Sequence, residues 1–146
     1  MRTFHVVLGI AVVAVNLAAG VLGAWRWRRA EASRAFWPLL RAGQLLVLVE
    51  AVDGGVLVAL GRELPKLHLI YGLVPLGVSF LAEQLRLASA DTVLQQRGLE
   101  DSAAVGRLPE AEQRAVVLQI VRREMGVMAA SALVVVLLAL RAGHWL

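Results

Sequence analysis

The chain has 146 residues, 59% of them hydrophobic, with a mean hydropathy of +0.70, and its apolar residues are gathered into long runs. This is the pattern of an integral membrane protein rather than of a soluble core. There is no cysteine, which excludes disulfides, iron–sulfur clusters, thiolate metal sites and thiol catalysis; the formal charge of +4 does not point to nucleic acid, because the arginines flank apolar runs instead of forming a basic face.

Four spans are predicted, at about residues 3–24, 36–60, 67–87 and 126–140, each near the roughly 20 residues needed to cross the hydrocarbon. The expected fold is all-α, a single integral membrane four-helix bundle over residues 1–146. Span one ends at the cluster Trp25, Arg26, Trp27, Arg28, Arg29. A cleaved signal peptide carries its positive charge before the apolar region, not after it, so a retained helix is expected. A short loop to Ser33 leads to span two, opened by Phe36, Trp37 and Pro38, with the proline in a first turn where its missing donor costs nothing. Span two ends at Gly61, and the brief connection to Lys66 makes spans two and three a tight antiparallel hairpin. Span three contains Pro75, whose ring should kink it.

Span three is expected to run past the membrane to Arg97, where Gly98 stops it. Pro109, Glu110 and Glu112 read as the start of the last helix, which continues without a breaker into the fourth span. Residues 88–125 thus form a helical hairpin outside the membrane with a turn between Gly98 and Leu108, and its face of Val117, Ile120, Val121 and Met125 packs on the partner helix or lies on the headgroups. Arg26, Arg28, Arg29 and Arg34 follow span one, while Arg86, Arg97, Arg107, Arg114, Arg122 and Arg123 lie between spans three and four; the other side holds Arg2, Arg62, Lys66 and Arg141. By the positive-inside rule both termini are outside, the hairpin is cytoplasmic, and the protein is a multi-pass protein of the cytoplasmic membrane.

Spans one and three carry matching stripes. His5, Gly9, Asn16, Gly20 and Gly23 in one, and His68, Gly72, Ser79, Glu83 and Arg86 in the other, share the same offsets, and at roughly 100° per residue each set falls on one narrow helix face. Small and polar residues turn such a face away from lipid. Asn16 and Ser79 sit at equal depth, placed to hydrogen-bond across the bundle. His5, His68 and His144 all lie at the outer level. Neutral imidazole ligates haem iron, copper or zinc, and facing helices of a bundle are a usual place to build such a site. Gly9 and Gly72, one turn deeper, would leave room for a flat macrocycle; Arg2, Arg62 and Lys66 at the rim could pair with propionates, and Tyr71 could donate a hydrogen bond to one. An ion held by His5, His68 and His144 is the alternative, and the same residues also suit an interface with no cofactor.

The segment from Gln44 to Tyr71 reads Gln-Leu-Leu-Val, then Asp-Gly-Gly-Val-Leu-Val-Ala-Leu-Gly, a proline-containing turn, and Leu-His-Leu-Ile-Tyr-Gly. It resembles the haem-binding four-helix half-repeat of haem A synthase and related transmembrane b-type cytochromes. The resemblance covers under a quarter of the chain and implies that His68 is an axial ligand of a haem b, with a second descending helix supplying the partner; position suggests His5. Glu50 and Asp53 stand where that family is usually apolar, and this chain has one four-helix unit, so synthase activity is not carried over.

Glu50 near the middle of span two and Asp53 one turn further out share a face. An ionisable group there costs at least a few kcal/mol and is by default a functional candidate, for a proton relay, a cation, or an ion pair. Glu83 and Arg86, at i and i+3, are expected to form a local pair. Three readings follow: a haem protein of electron transfer, a non-catalytic subunit that works as a homodimer or within a larger membrane complex, and a small proton- or cation-conducting protein centred on Glu50 and Asp53.

Overall fold

The computed structural model describes residues 2–63 and 65–143, except for the side chain of Arg2. The regular structure in these residues is entirely helical: α1 (Arg2–Arg29), α2 (Phe36–Ala59), α3 (Lys66–Gln96), α4 (Ser102–Gly106) and α5 (Glu110–Ala142). The four long helices are each long and apolar enough to cross a membrane. Their outward faces carry Phe4, Leu45, Val52, Phe80 and Leu137, all largely exposed, an array that a water-soluble surface rarely tolerates and that a bilayer covers.

The helices form a ring in the order α1, α2, α3, α5, with α1 packed along α2 and α5, α3 along α5, and the seam between α2 and α3 the sparsest of the four. The packing is uneven along the axis as well. At the end marked by the arginines, Phe36, Leu40, Met125, Met128 and Ala129 form a closed core with Ala19 and Ala82. Here the small residues of α1 serve close approach: a Cβ on Gly20 would stand 2.6 Å from Leu133 Cδ2, and one on Gly23 would run into the Phe36 ring and stand 2.8 Å from Ala129 Cβ. A thinner layer of Val12, Val47 and Val135 follows. Beyond it, towards the histidines, the bundle is hollow.

Three helix ends use one device. At the end of α1 the Glu31 N–H donates to Arg26 O (3.1 Å) and the Ala30 N–H to Trp27 O (3.2 Å); at the end of α2, Arg62 donates to Leu57 O and Gly61 to Val58 O; at the end of α3, Leu99 donates to Leu94 O and Gly98 to Gln95 O. This paired capping needs a left-handed residue, and Gly61 (φ 79°) and Gly98 (φ 66°) supply it without strain, whereas the first cap places Ala30 there at φ 53°.

α3 runs unbroken through Pro75 to Gln96. The connection to α5 is not only a turn: Asp101 accepts a hydrogen bond from the Ala104 N–H at 2.7 Å and starts the five-residue α4, a short N-capped helix that the stop at Gly98 and the start at Pro109 had concealed. In the hairpin, Val93 and Val116 are the buried pair and Arg97 Nε donates to Gln119 Oε1 (3.0 Å). Met125 is buried as part of the core, but Val117 is 53% exposed, because the face that meets α3 passes through Val116 instead.

Candidate functional site

Both α1 and α3 begin at the hollow end, and each sets a histidine in its first turn or so. His5 Nδ1 donates across to α2, to Asp53 Oδ2 at 2.9 Å, with Glu50 Oε1 3.4 Å away. The i, i+3 spacing of Glu50 and Asp53 brings both carboxylates to the same ring. His68 Nδ1 donates across to α5, to the Ala142 carbonyl at 3.0 Å. A carbonyl can only accept, so the proton of His68 is on Nδ1; the oxygen involved belongs to the last turn of α5, where helical carbonyls have no partner in their own helix. Among the described residues no hydrogen bond engages Nε2 of either ring. The two imidazoles stand 5.9 Å apart, centre to centre, at an interplanar angle of 56°.

Both rings line a cavity of about 460 Å³ to which all four long helices contribute, within the roughly 300–1,000 Å³ usual for small-molecule and cofactor sites. Its walls are apolar, with Val12, Val47, Val58, Leu69 and Ala139, and its polar groups are His5, His68, Glu50 and Tyr71. The glycines divide by task. Gly9 lies against α2, where a Cβ would be 3.3 Å from Glu50 Oε1, so its smallness seats that carboxylate. Gly55 and Gly72 open on space, with nothing within 4 Å of a Cβ, and Gly54 meets only His5 Cε1 at 3.8 Å. One carboxylate oxygen, Glu50 Oε2, is buried with no hydrogen-bond partner among the described residues.

The sequence-predicted residues are thus partly gathered. His5, His68, Gly9, Gly72, Tyr71 and Glu50 line one cavity, and Asp53 stands behind His5. Arg62 and Lys66 are exposed at the same end without lining it, and His144 lies outside the described residues. Arg141 places its guanidinium 5.9 Å from the centre of the Tyr71 ring. Among the described residues no group of three or more His, Asp or Glu side chains is arranged to hold a metal ion. Two features escaped sequence reasoning. The role of the α5 terminus, Ala142 and Gly143, had no signal, since a backbone carbonyl has no letter in the sequence. Gly54 and Gly55 did have one, a glycine pair directly after the acid pair.

A second polar cluster lies near the arginine end. Glu83 accepts from Arg41, from Gln44 Nε2 (2.9 Å) and from Arg86 Nε (2.8 Å), and Arg41 Nη1 also donates to Gln44 Oε1 (2.6 Å). The local Glu83–Arg86 pair is present, and α2 completes it. Asn16 does not reach Ser79; its amide donates to Val12 O (2.8 Å) and to Gly43 O on α2 (3.3 Å), and Gly43 has no side chain because a Cβ would stand 2.8 Å from Asn16 Oδ1. Comparison with known proteins found no matching family model, no matching curated protein and no matching solved structure.

Proposed function

We propose that this protein is a membrane-embedded haem-binding protein of b-type cytochrome character, with a role in electron transfer, in which His5 and His68 are axial ligands to a haem b held between α1 and α3. The observation that supports it is the shared state of the two rings: each spends Nδ1 on a hydrogen bond to a neighbouring helix and keeps Nε2 available, the arrangement by which ligating histidines are usually oriented. The ring centres stand 5.9 Å apart on the wall of one cavity, so His5 and His68 would hold the same group. A macrocycle supplies four iron ligands of its own, so two histidines suffice; a lone copper or zinc would need a third protein ligand. When bound, haem supplies a one-electron couple.

The chain's residues then have distinct tasks. Asp53 and the Ala142 carbonyl fix ring orientation. Gly72 and Gly55 leave the flat space, and Arg62 and Lys66 stand at the rim where propionates would emerge into water. The arginine asymmetry supports placing this end, with both termini, on the outer side of the cytoplasmic membrane. A second reading, proton transfer through Glu50 and Asp53, is favoured by their joint approach to His5 Nδ1.

An absorption spectrum of the purified protein after haemin reconstitution tests the reading. A Soret band is expected, weakened or altered at nearly unchanged helical content in His68→Ala and in His5→Ala, each of which leaves one histidine ligand, and lost when both are replaced. A colourless protein from haem-supplied cells that also fails to take up haemin would reject it.

A further inference from the structure

The ring of helices has four seams, and they are tied differently. α1 and α2 are joined by His5–Asp53 and by Asn16 to the Gly43 carbonyl. α3 and α5 are joined by His68 to the Ala142 carbonyl and, far along the helices, by Arg97–Gln119. α1 and α5 interlock where Gly20 and Gly23 admit Leu133 and Ala129. α2 and α3 are joined at the arginine end, through Arg41, Gln44 and Glu83, and among the described residues no hydrogen bond or ion pair links them nearer the histidines. From Gln44 to the turn at Leu60 the seam is therefore untied over about 24 Å of helix. Along it Gly55 and Gly72 face open space. The same residues Gly55 and Gly72 line the cavity, so the gap and the cavity are continuous.

We propose that the α2–α3 seam is a lateral portal through which a flat, largely apolar ligand dissolved in the bilayer passes into the histidine cavity. The inference rests on the haem reading for the identity of that ligand. Its direction rests on three things. The histidine end is strapped on two sides, by the His5–Asp53 and His68–Ala142 bonds, and crossed above the seam by the short connection between α2 and α3. The lips of the seam are apolar and exposed, with Val58 and Leu73, both lining the cavity, 42% and 54% accessible; this suits passage from lipid and opposes passage of a hydrated ion. The acids nearest the seam, Glu50 and Asp53, are turned towards His5 and away from it.

The natural absence of cysteine makes the test clean. Gly55→Cys with Leu73→Cys places one thiol on each lip, and both positions line the cavity. In phosphatidylcholine vesicles the uncrosslinked double variant sets the reference rate of uptake of membrane-dissolved haemin, followed at the Soret band. Bridging the thiols with a short bifunctional methanethiosulfonate should slow uptake at least tenfold, and reductive cleavage should restore it; the same bridge installed after loading should slow haem transfer to an apo-globin acceptor. Uptake by the bridged protein at the unbridged rate would overturn the portal while leaving the haem site standing. A covalent dimer formed through the two thiols would put a second copy on the seam and overturn it too, and failure of the unbridged protein to bind haemin would remove both readings together.

Discussion

Substituting leucine for Gly72 separates a hollow built for a ligand from a packing surface. A Cβ at Gly72 meets nothing within 4 Å and the residue lines the cavity. Removing a helix-interior glycine gains about 0.8 kcal/mol in propensity, and the added leucine atoms gain little from leaving lipid for protein, because lipid tails are as apolar as the side chain. Gly72→Leu should therefore be more stable than the wild type by about 0.5–1 kcal/mol. The same change at Gly23 drives a side chain into the Phe36 ring and Ala129, where overpacking of about 1–3 kcal/mol or more exceeds the propensity gain. Haem binding should respond in the opposite sense at Gly72: a clash of about 3 kcal/mol with the ring corresponds to a loss of roughly 100-fold in affinity. Thermal denaturation in detergent by circular dichroism and haemin titration at the Soret band measure the two quantities on one sample. A destabilised Gly72→Leu would show that the space is filled, and a stable variant with wild-type haem affinity would show that no ring lies over Gly72.

Glu83→Gln removes the acceptor that Arg41, Gln44 and Arg86 share and should cost about 1–2 kcal/mol after allowing for the partial exposure of Arg41 and Glu83, read as a lower detergent melting temperature with the Soret band unchanged; a lost band at full stability would contradict the assignment of this cluster to holding α2 against α3. Ala30→Gly should raise stability by about 0.5 kcal/mol, since the left-handed strain of about 1–2 kcal/mol is relieved against a smaller entropic penalty in the unfolded chain; an unchanged or lowered melting temperature would show that Ala30 does not occupy the conformation its cap demands.

The four membrane-crossing helices were legible because they write themselves in composition: long apolar runs, Trp and Arg at their ends, Gly61 and Gly98 at two stops. The end of α1 was less so, because its cap uses alanine where glycine is the readable letter. Matching offsets brought out His5 and His68 as a pair but could not assign their partners. That His5 faces Asp53, and that Asn16 turns to Gly43 and not to Ser79, depends on helix rotation within the ring, which a stripe on one helix leaves free. The Arg41–Gln44 contribution to Glu83 had a weak sign in the i, i+3 spacing on α2; the helical fragment capped by Asp101 was hidden inside a segment too short for periodicity.

The contrast between a packed end and a hollow end also bears on the order in which the protein is made. Phe36, Leu40, Met125 and Met128 draw on α2 and α5, and Ala19 and Ala82 bring in α1 and α3, so the closed core requires all four helices and none of the cavity residues. Assembly of the bundle is thereby independent of anything that later occupies the space between His5 and His68. On the proposed haem reading, a chain built this way leaves the insertion machinery with its cavity formed, and a ligand bound there afterwards would add stability by mass action. The loosely packed half of the molecule is then the half where opening does least harm, since local unfolding there need not propagate into the interlocked glycines at the other end.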